Sequence, residues 1–438
     1  MFFTKNSLPL QSHLRIKAMK VAIIGGGAAG MFLAINLYEL MAKKLDSNRI
    51  TNNKAKFIDI VIFEKTDKIL SKVVVSGGGR CNCTNNRLLT DKLRDNNLDL
   101  KQIYPRGHHL MKKLLRNFSV EDTINWFSTH GIKLKAEQDG RMFPTTNNSR
   151  TIIDMFLDYA NKYNITIRYN TAITTLKQVE SFDFVCITTG GMLHNNHNFD
   201  LQTSNTKIIT PKPSLFGFYI KDNNLQSLKG TTINNVTLTI KQTKFKTSDS
   251  ILITHRGISG PCVLKLSSIA AEYLHYENYK TILVVNWVSL TDEEIRKRLE
   301  TAIQTESQKI IVNTNPFSLS QRFWEYLLQK VIPNRLDIRY KDLTKKEINR
   351  IINILCNDEY QTQGRATNKD EFVTCGGIDL DEINHNTLQL KSNEKIYLAG
   401  EILNIDGITG GYNLQACWSG AYTASQGIIN SYLSKNNK

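Results

Sequence analysis

Three glycines in the pattern Gly25-x-Gly27-x-x-Gly30 stand between an apolar β run, Val21-Ala22-Ile23-Ile24, and a helical stretch over 28–40. Strand before and helix after turn a common pattern into one with a mechanism. Gly25 permits the tight turn, Gly27 lets the backbone approach a pyrophosphate, and Gly30 lets helix and sheet pack closely. The amides of Ala28 and Ala29 then meet the anion at the positive end of the helix. A second strand, over 58–63, ends at Glu64-Lys65. A carboxylate there accepts hydrogen bonds from ribose hydroxyls and favours FAD or NAD over NADP. Glu64 follows Gly30 by 34 residues instead of about 20, and the polar, Asn-rich stretch 43–56 absorbs the excess.

One fingerprint does not separate FAD from NAD. The C-terminal end does. Tyr397-Leu398-Ala399-Gly400-Glu401 reads as a strand ending in Gly-acid, and Gly410-Gly411-Tyr412-Asn413 opens another helix. One helix N-terminus serves the pyrophosphate, and a second with a nearby acid serves the ribityl chain and flavin ring. NAD alone leaves the second site without a purpose, so the cofactor expected is FAD. Between these ends, Ser76-Gly77-Gly78-Gly79-Arg80 frees backbone amides and supplies a cation for a phosphate or a reduced flavin. Gly190-Gly191, after a strand over 184–187, offers another close approach.

Catalytic residues are harder to read. His255, between a β run and Gly257-Ile258-Ser259-Gly260-Pro261, is the candidate proton donor near the flavin, with a turn-stabilising role as its alternative. His194 and His197 have metal-ligand spacing but no further ligands around them, so no metal is expected. Cys81-x-Cys83 is the closest cysteine pair, and the lack of a Cys-x-x-Cys after the first helix disfavours a dithiol disulfide reductase. Cys186, Trp126 and Phe127 read as core.

The elements that must position these residues follow from periodicity. Helices are expected over 110–118, 120–130 (capped by Ser119) and 151–163, and strands over 165–169 and 184–187. From 212 to 287 the period drops to two, as in Val236-Thr237-Leu238-Thr239-Ile240, which argues for antiparallel β structure. From 291 to 357 it returns to helical, and the tail is α/β again. The fold class expected is α/β: a Rossmann-like domain split in sequence (20–206 and 372–438), carrying a β module (207–290 and 358–371) and a helical insert (291–357). Residues 1–19, basic and followed by the strand that Met19 opens, read as a leader outside the fold.

Composition narrows the class. The 438 residues are 41% hydrophobic, 22% charged and 9% aromatic, ordinary globular material that excludes a disordered or fibrous chain. Seven cysteines are too few for a disulfide framework and fit a reducing, cytoplasmic compartment. No apolar run reaches the roughly 18 residues of a membrane span, so no membrane partner is expected. Lys+Arg 56 against Asp+Glu 40 leave a formal charge of +16, which attracts polyanions and acidic substrates. The basic residues are scattered without aromatic interleaving, which disfavours nucleic acid as a partner.

Four motifs form one ordered series: Ser76-Gly77-Gly78-Gly79-Arg80-Cys81-Asn82, Gly140-Arg141-Met142-Phe143-Pro144, Thr254-His255-Arg256-Gly257-Ile258-Ser259-Gly260-Pro261, and the run from Gly400-Glu401-Ile402-Leu403-Asn404 to Gly410-Gly411-Tyr412-Asn413-Leu414-Gln415. The series resembles the BaiN/YhiN-like flavoproteins over about 20–426. The resemblance implies a two-dinucleotide-binding-type FAD domain, a β-barrel-like module and a small helical insert. It also implies an FAD-dependent oxidoreductase acting on a small organic substrate by hydride exchange at flavin N5, with NAD(P)H as a candidate transient donor. The alternative is a flavin-dependent tRNA-associated or tRNA-modifying protein. Carried over by position, Lys72, Gly79, Arg80, Cys81 and Asn82 line the cofactor and Ile173 touches adenine through its backbone. Two departures stand out: 192–205 is His- and Asn-rich and shortened where the family has a Ser/Thr-Gly-Asp-Gly stretch, and Asn404 replaces a common aspartate.

Overall fold

The computed structural model describes residues 18–45, 57–91, 99–192, 206–366 and 373–436. Residues 1–17 of the expected leader, most of the Asn-rich connection, and His194 and His197 lie outside these residues; Met19, counted with the leader, is fully buried and opens the first strand.

Five short apolar strands build one fully parallel sheet in the order Ile396–Leu398, Phe184–Ile187, Met19–Ile24, Ile58–Phe63, Thr166–Arg168. Continuous apolar runs suit strands that are covered on both faces. The register brings Ile24 opposite both Phe63 and Ile187, and Leu398 opposite Ile187, so four strands end at one level. Gly25, Glu64, Thr188 and Ala399-Gly400 therefore emerge side by side at the carboxyl edge, where open α/β sheets bind ligands. The helix Ala28–Lys44 packs against the long C-terminal helix Tyr412–Asn436, and the Ser425 hydroxyl reaches Leu33 O at 3.4 Å.

A three-stranded antiparallel sheet (Thr84–Asn85, Arg141–Pro144, Leu134–Ala136) flanks this layer. A two-stranded ribbon, Ile208–Ser214 with Val373–Ile378, leads out of it. Beyond the ribbon the chain closes a six-stranded barrel of Thr232–Ile240, Lys246–Thr254, Gly257–Ser259, Gly217–Ile220, Asp358–Ala366 and Ile282–Asn286. Three helices, Asp292–Thr305, Gln321–Val331 and Lys345–Cys356, interrupt the last barrel connection. Capping boxes at Thr291/Glu294 and Thr344/Glu347 start two of them. The barrel and these helices share one hydrophobic core, and the parallel sheet has another. Asp358, 2% exposed, pins the helical unit to the barrel: its carboxylate accepts from Trp287 Nε1 (2.9 Å), Tyr360 Oη (2.6 Å) and the Lys330 ammonium.

Three local readings need correction. Within the stretch of expected β structure lie two helices, Pro261–Ile269 and Ala271–Tyr276. Proline in the first turn after Gly260 (φ +97) starts the first of them, a start that an apolar run such as Cys262-Val263-Leu264 conceals. The glycine loop is preceded by a turn of helix from Ser71, which ends where Ser76 turns extended and Gly77 and Gly78 turn left-handed. The N-terminal helix also runs to Lys44 instead of stopping near 40.

Candidate cofactor site

The turn after the first strand is built as its glycines require. Gly25 has φ +107, and a Cβ on it would lie 2.5 Å from Thr188 O. A Cβ on Gly30 would lie 2.0 Å from Gly25 O, so the helix can start this close to the strand only without a side chain. Thr188 Oγ1 donates to the carbonyl of Ile24 or Gly25 and holds the turn to the neighbouring strand. Gly27 differs from these two. It is the N-cap, has no side-chain cap, and nothing lies within 4 Å of where its Cβ would point. Uncapped first-turn amides facing an open cradle are what a pyrophosphate needs. Gly30→Ala is expected to cost about 3 kcal/mol through backbone overlap, read as lost soluble yield and a lower unfolding midpoint; a wild-type midpoint would contradict the packing.

Glu64 follows the second strand as expected, and its carboxylate bonds inside the chain. It accepts from Gly26 N (3.0 Å), Thr66 N (2.9 Å) and Thr66 Oγ1 (2.9 Å). These contacts fix its two oxygens beside the glycine turn, and a carboxylate's remaining lone pairs are left for ribose hydroxyls. Lys65 is exposed beside it. Ile173 is buried on the segment that Thr171 N ties to Glu64 O at 2.8 Å, so it lies along the same edge.

The C-terminal acid arrives from the far end of the sequence. Glu401 accepts from Thr374 N (2.7 Å) and pairs with the Lys72 ammonium. A Cβ on Gly190 or Gly191 would lie 3.7 or 3.1 Å from its carboxylate oxygens, and one on Gly400 would lie 2.9 Å from the Ala29 Cβ. Cys417 sits 3.5 Å from that Gly400 position, and burial together with the Glu401 charge pushes its thiol up to about 12. The segments around 25–30, 72, 188–191, 374 and 400–401 thus meet in one place.

The glycine loop and the second helix start are joined directly. Gly77, Gly78 and Gly79 all have positive φ, and Gly78 faces open space. The Asn82 amide, set with its oxygen toward Gly411 N (3.0 Å) and its nitrogen toward Thr84 O (3.1 Å), links loop to helix. Asn85 Nδ2 donates to Gly410 O at 2.9 Å, and Tyr104 Oη to Tyr412 O at 2.9 Å. Arg80 lies 3.9 Å above the Phe143 ring and pairs with Glu137 at 2.6 Å, which holds its guanidinium in one place. Cys81 and Cys83 are buried with their sulfurs 3.5 Å apart.

Two expected residues have other duties or positions. The Asn413 side chain is bonded at both ends to Gly407, accepting from its N and donating to its O at 2.8 Å each, so it braces the loop. His255 lies on the exposed turn between two barrel strands, at the end opposite Ser259 and Gly217, which border the first domain. The structure does not bring it to the glycine cradle. The sequence reading also missed Arg106. Its guanidinium forms a two-pronged pair with Asp406, which is fully buried, and donates to Ser268 O of the barrel helix at 2.9 Å. Ser214 Oγ donates to the same carboxylate at 3.1 Å. Burial raises the Asp406 carboxyl above its usual range, and Arg106 pulls it back only in part. Among the described residues no three His, Cys, Asp or Glu side chains gather as they would around a metal ion.

A family model described as the HI0933-like protein Rossmann domain matches residues 19–427. The chain belongs to the HI0933-like family. It is an FAD-dependent oxidoreductase with a Rossmann-type FAD-binding domain. Over 431 residues the chain is 25% identical to "Ribosomal RNA dihydrouridine synthase" of Escherichia coli (strain K12), covering 93% of this chain and 97% of that protein. Over 436 residues it is 23% identical to "3-dehydro-bile acid delta(4,6)-reductase" of Clostridium scindens, covering 93% and 98%. Among solved structures, 3-ketosteroid delta1-dehydrogenase from Sterolibacterium denitrificans aligns with a TM-score of 0.43 at 12% identity, over 94% of this chain and 99% of that one. Among the described residues no helix is long and apolar enough to cross a membrane.

Proposed function

We propose that this HI0933-like protein reduces a carbon–carbon double bond conjugated to a carbonyl, and that its substrate is uracil within ribosomal RNA. The observation that carries this reading is a chemistry common to relatives aligned over nearly their whole length. Uridine becomes dihydrouridine by conjugate addition, hydride to the β-carbon and a proton to the α-carbon, and a 3-oxo-4,6-diene is reduced by the same type of addition or its vinylogous form, with hydride to the δ-carbon. FAD, when bound and reduced, supplies the hydride from N5.

The chain's own residues supply binding and charge. Gly25, Gly27, Ala28, Ala29 and Gly30 hold the pyrophosphate; Glu64, with Lys65 beside it, takes the adenosine ribose; Ile173 borders adenine. Gly190, Gly400 and the Lys72–Glu401 pair face the ribityl chain. Gly79, Arg80, Cys81, Asn82, Gly410, Gly411, Tyr412 and Asn413 frame the flavin end. Arg80, fixed by Glu137 and Phe143, would offer its guanidinium to the negative charge of a reduced flavin.

RNA is preferred over a small molecule because two relatives, at 25% and 26% identity, carry the RNA name and because the net charge is +16. The Clostridium relative supports the second reading, a small carbonyl-conjugated substrate. We infer NADH or NADPH as reductant and a cytoplasmic site of action, which the seven free cysteines fit.

The test is anaerobic. Purified protein should be yellow, bleach on addition of NADH or NADPH, and recover its colour when unmodified ribosomal RNA is added, with one uridine gaining two hydrogens by mass. A protein that cannot be reconstituted with FAD overturns the reading. One that reduces a 3-oxo-4-ene steroid and leaves RNA uridines intact moves the assignment to the small-molecule alternative.

A further inference from the structure

The sequence shows no aromatic-interleaved basic run, yet the fold assembles a patch of that composition on the barrel. Helix Ala271–Tyr276 ends in His275 and Tyr276, and the chain continues through Glu277-Asn278-Tyr279-Lys280. Tyr276 is 83% exposed, by far the most solvent-facing large hydrophobic side chain among the described residues. Tyr279 is held from three sides. Its hydroxyl bonds His275 Nδ1 at 3.1 Å, its ring lies 5.4 Å from that of Phe216, and its carbonyl accepts from Thr362 Oγ1 at 2.9 Å. Arg365, from the last barrel strand, places its guanidinium 4.8 Å from the Tyr279 ring and 5.9 Å from Phe216. Lys280 is exposed beside them.

Backbone strain marks the same spot. Asn278 and Tyr279 are consecutive non-glycine residues with φ +50 and +61. A tyrosine is a poor choice for that conformation, and strained bulky residues persist where the surrounding structure holds them for a purpose.

The position suits a long substrate. Phe216 follows by two residues Ser214, whose hydroxyl bonds Asp406 in the C-terminal glycine segment, and Ser214 pairs with Val373 one step from the Thr374 that bonds Glu401. The patch therefore borders the junction between barrel and cofactor domain, displaced from the glycine cradle along the ribbon.

The geometry points to a docking platform for single-stranded RNA, built from Tyr276 and the Tyr279–Arg365 stack with Lys280 as a phosphate contact. It holds nucleotides flanking the base that is reduced. Aromatic rings accept any base through its π face, and cations beside them, here Lys280 and Arg365, track the backbone. This inference rests on the RNA reading above.

The experiment uses FAD-loaded full-length protein and ribosomal RNA transcribed in vitro. Base stacking is worth about 1–3 kcal/mol, so Tyr276→Ala should weaken RNA binding about tenfold at moderate salt. Tyr276→Phe should bind like wild type, since the ring is what stacks. Flavin content and the rate of flavin reduction by the nicotinamide donor should be unchanged in both. Equal RNA affinity of Tyr276→Ala and wild type overturns the platform and leaves the RNA reading standing. Absence of RNA binding by the wild type at low salt removes both.

Discussion

Gly27→Val should yield a folded, colourless protein. Gly27 has φ −79 and ψ −167, backbone that a β-branched residue adopts without strain, and nothing lies within 4 Å of its Cβ direction. Valine is a poorer N-cap than glycine, a cost of about 1 kcal/mol or less. Its methyl groups would occupy the space in front of the first-turn amides, where the pyrophosphate must come closest. Flavin retention should fall at least a hundredfold, read from the absorbance of purified protein and from titration with FAD. Thermal unfolding should match that of wild-type protein stripped of flavin, since FAD that binds only the native state stabilises it. A yellow Gly27→Val protein with wild-type flavin content would show that the cofactor lies elsewhere. The contrast with Gly30→Ala is diagnostic, because there the added carbon meets backbone and the fold itself gives way.

The second large effect is expected at Arg106. Removing the guanidinium by Arg106→Met leaves the fully buried Asp406 with only the Ser214 hydroxyl. Breaking a buried pair from one side typically costs about 3–5 kcal/mol, and urea unfolding should show a loss of that order. The loss should depend on pH in a defined direction. Asp406 already has a raised carboxyl in the folded state, so folding takes up protons between its unfolded and folded titration ranges, and stability falls as pH rises through that window. Without Arg106 the folded range moves higher still. The deficit of Arg106→Met should therefore be largest at neutral pH and shrink as pH drops toward the carboxylate range. Adding Asp406→Leu to the variant should recover much of the loss. A double variant as unstable as the single one would mean that Arg106 acts through its contact with Ser268 O and not through the charge pair.

Much of the cofactor domain was legible because its signals are local. Gly25, Gly27 and Gly30 follow an apolar strand and span the start of a helix within twelve residues, 19–30; Gly25 and Gly30 each have a steric reason to be glycine, and Gly27 faces open space. Period-two runs likewise announced the barrel. What could not be read is contact across sequence distance. Arg106 and Asp406 are 300 residues apart, and nothing near either one names its partner. The ribbon pairing Ile208–Ser214 with Val373–Ile378 has no local signature either, and Pro211 and Pro213 argue against a strand until its edge position is known. The helical turn from Ser71 was hidden by Val73-Val74-Val75, whose β-branching suits a strand; burial of Val73 against the core overrides that preference. His255 stood in a suggestive motif, and only the barrel's register shows which end of the strand it occupies.

The order of strands in the parallel sheet bears on how the polypeptide is made. The strand Ile396–Leu398 and the helix Tyr412–Asn436 complete the first layer but are translated after the whole barrel and its helices. During synthesis Phe184–Ile187 is therefore an open, apolar sheet edge, ready to pair with a neighbouring nascent chain. The barrel, with a core of its own, can form in that interval. A premature stop codon shortly before Ile396 should thus produce insoluble material held by chaperones, and not a soluble enzyme of reduced activity.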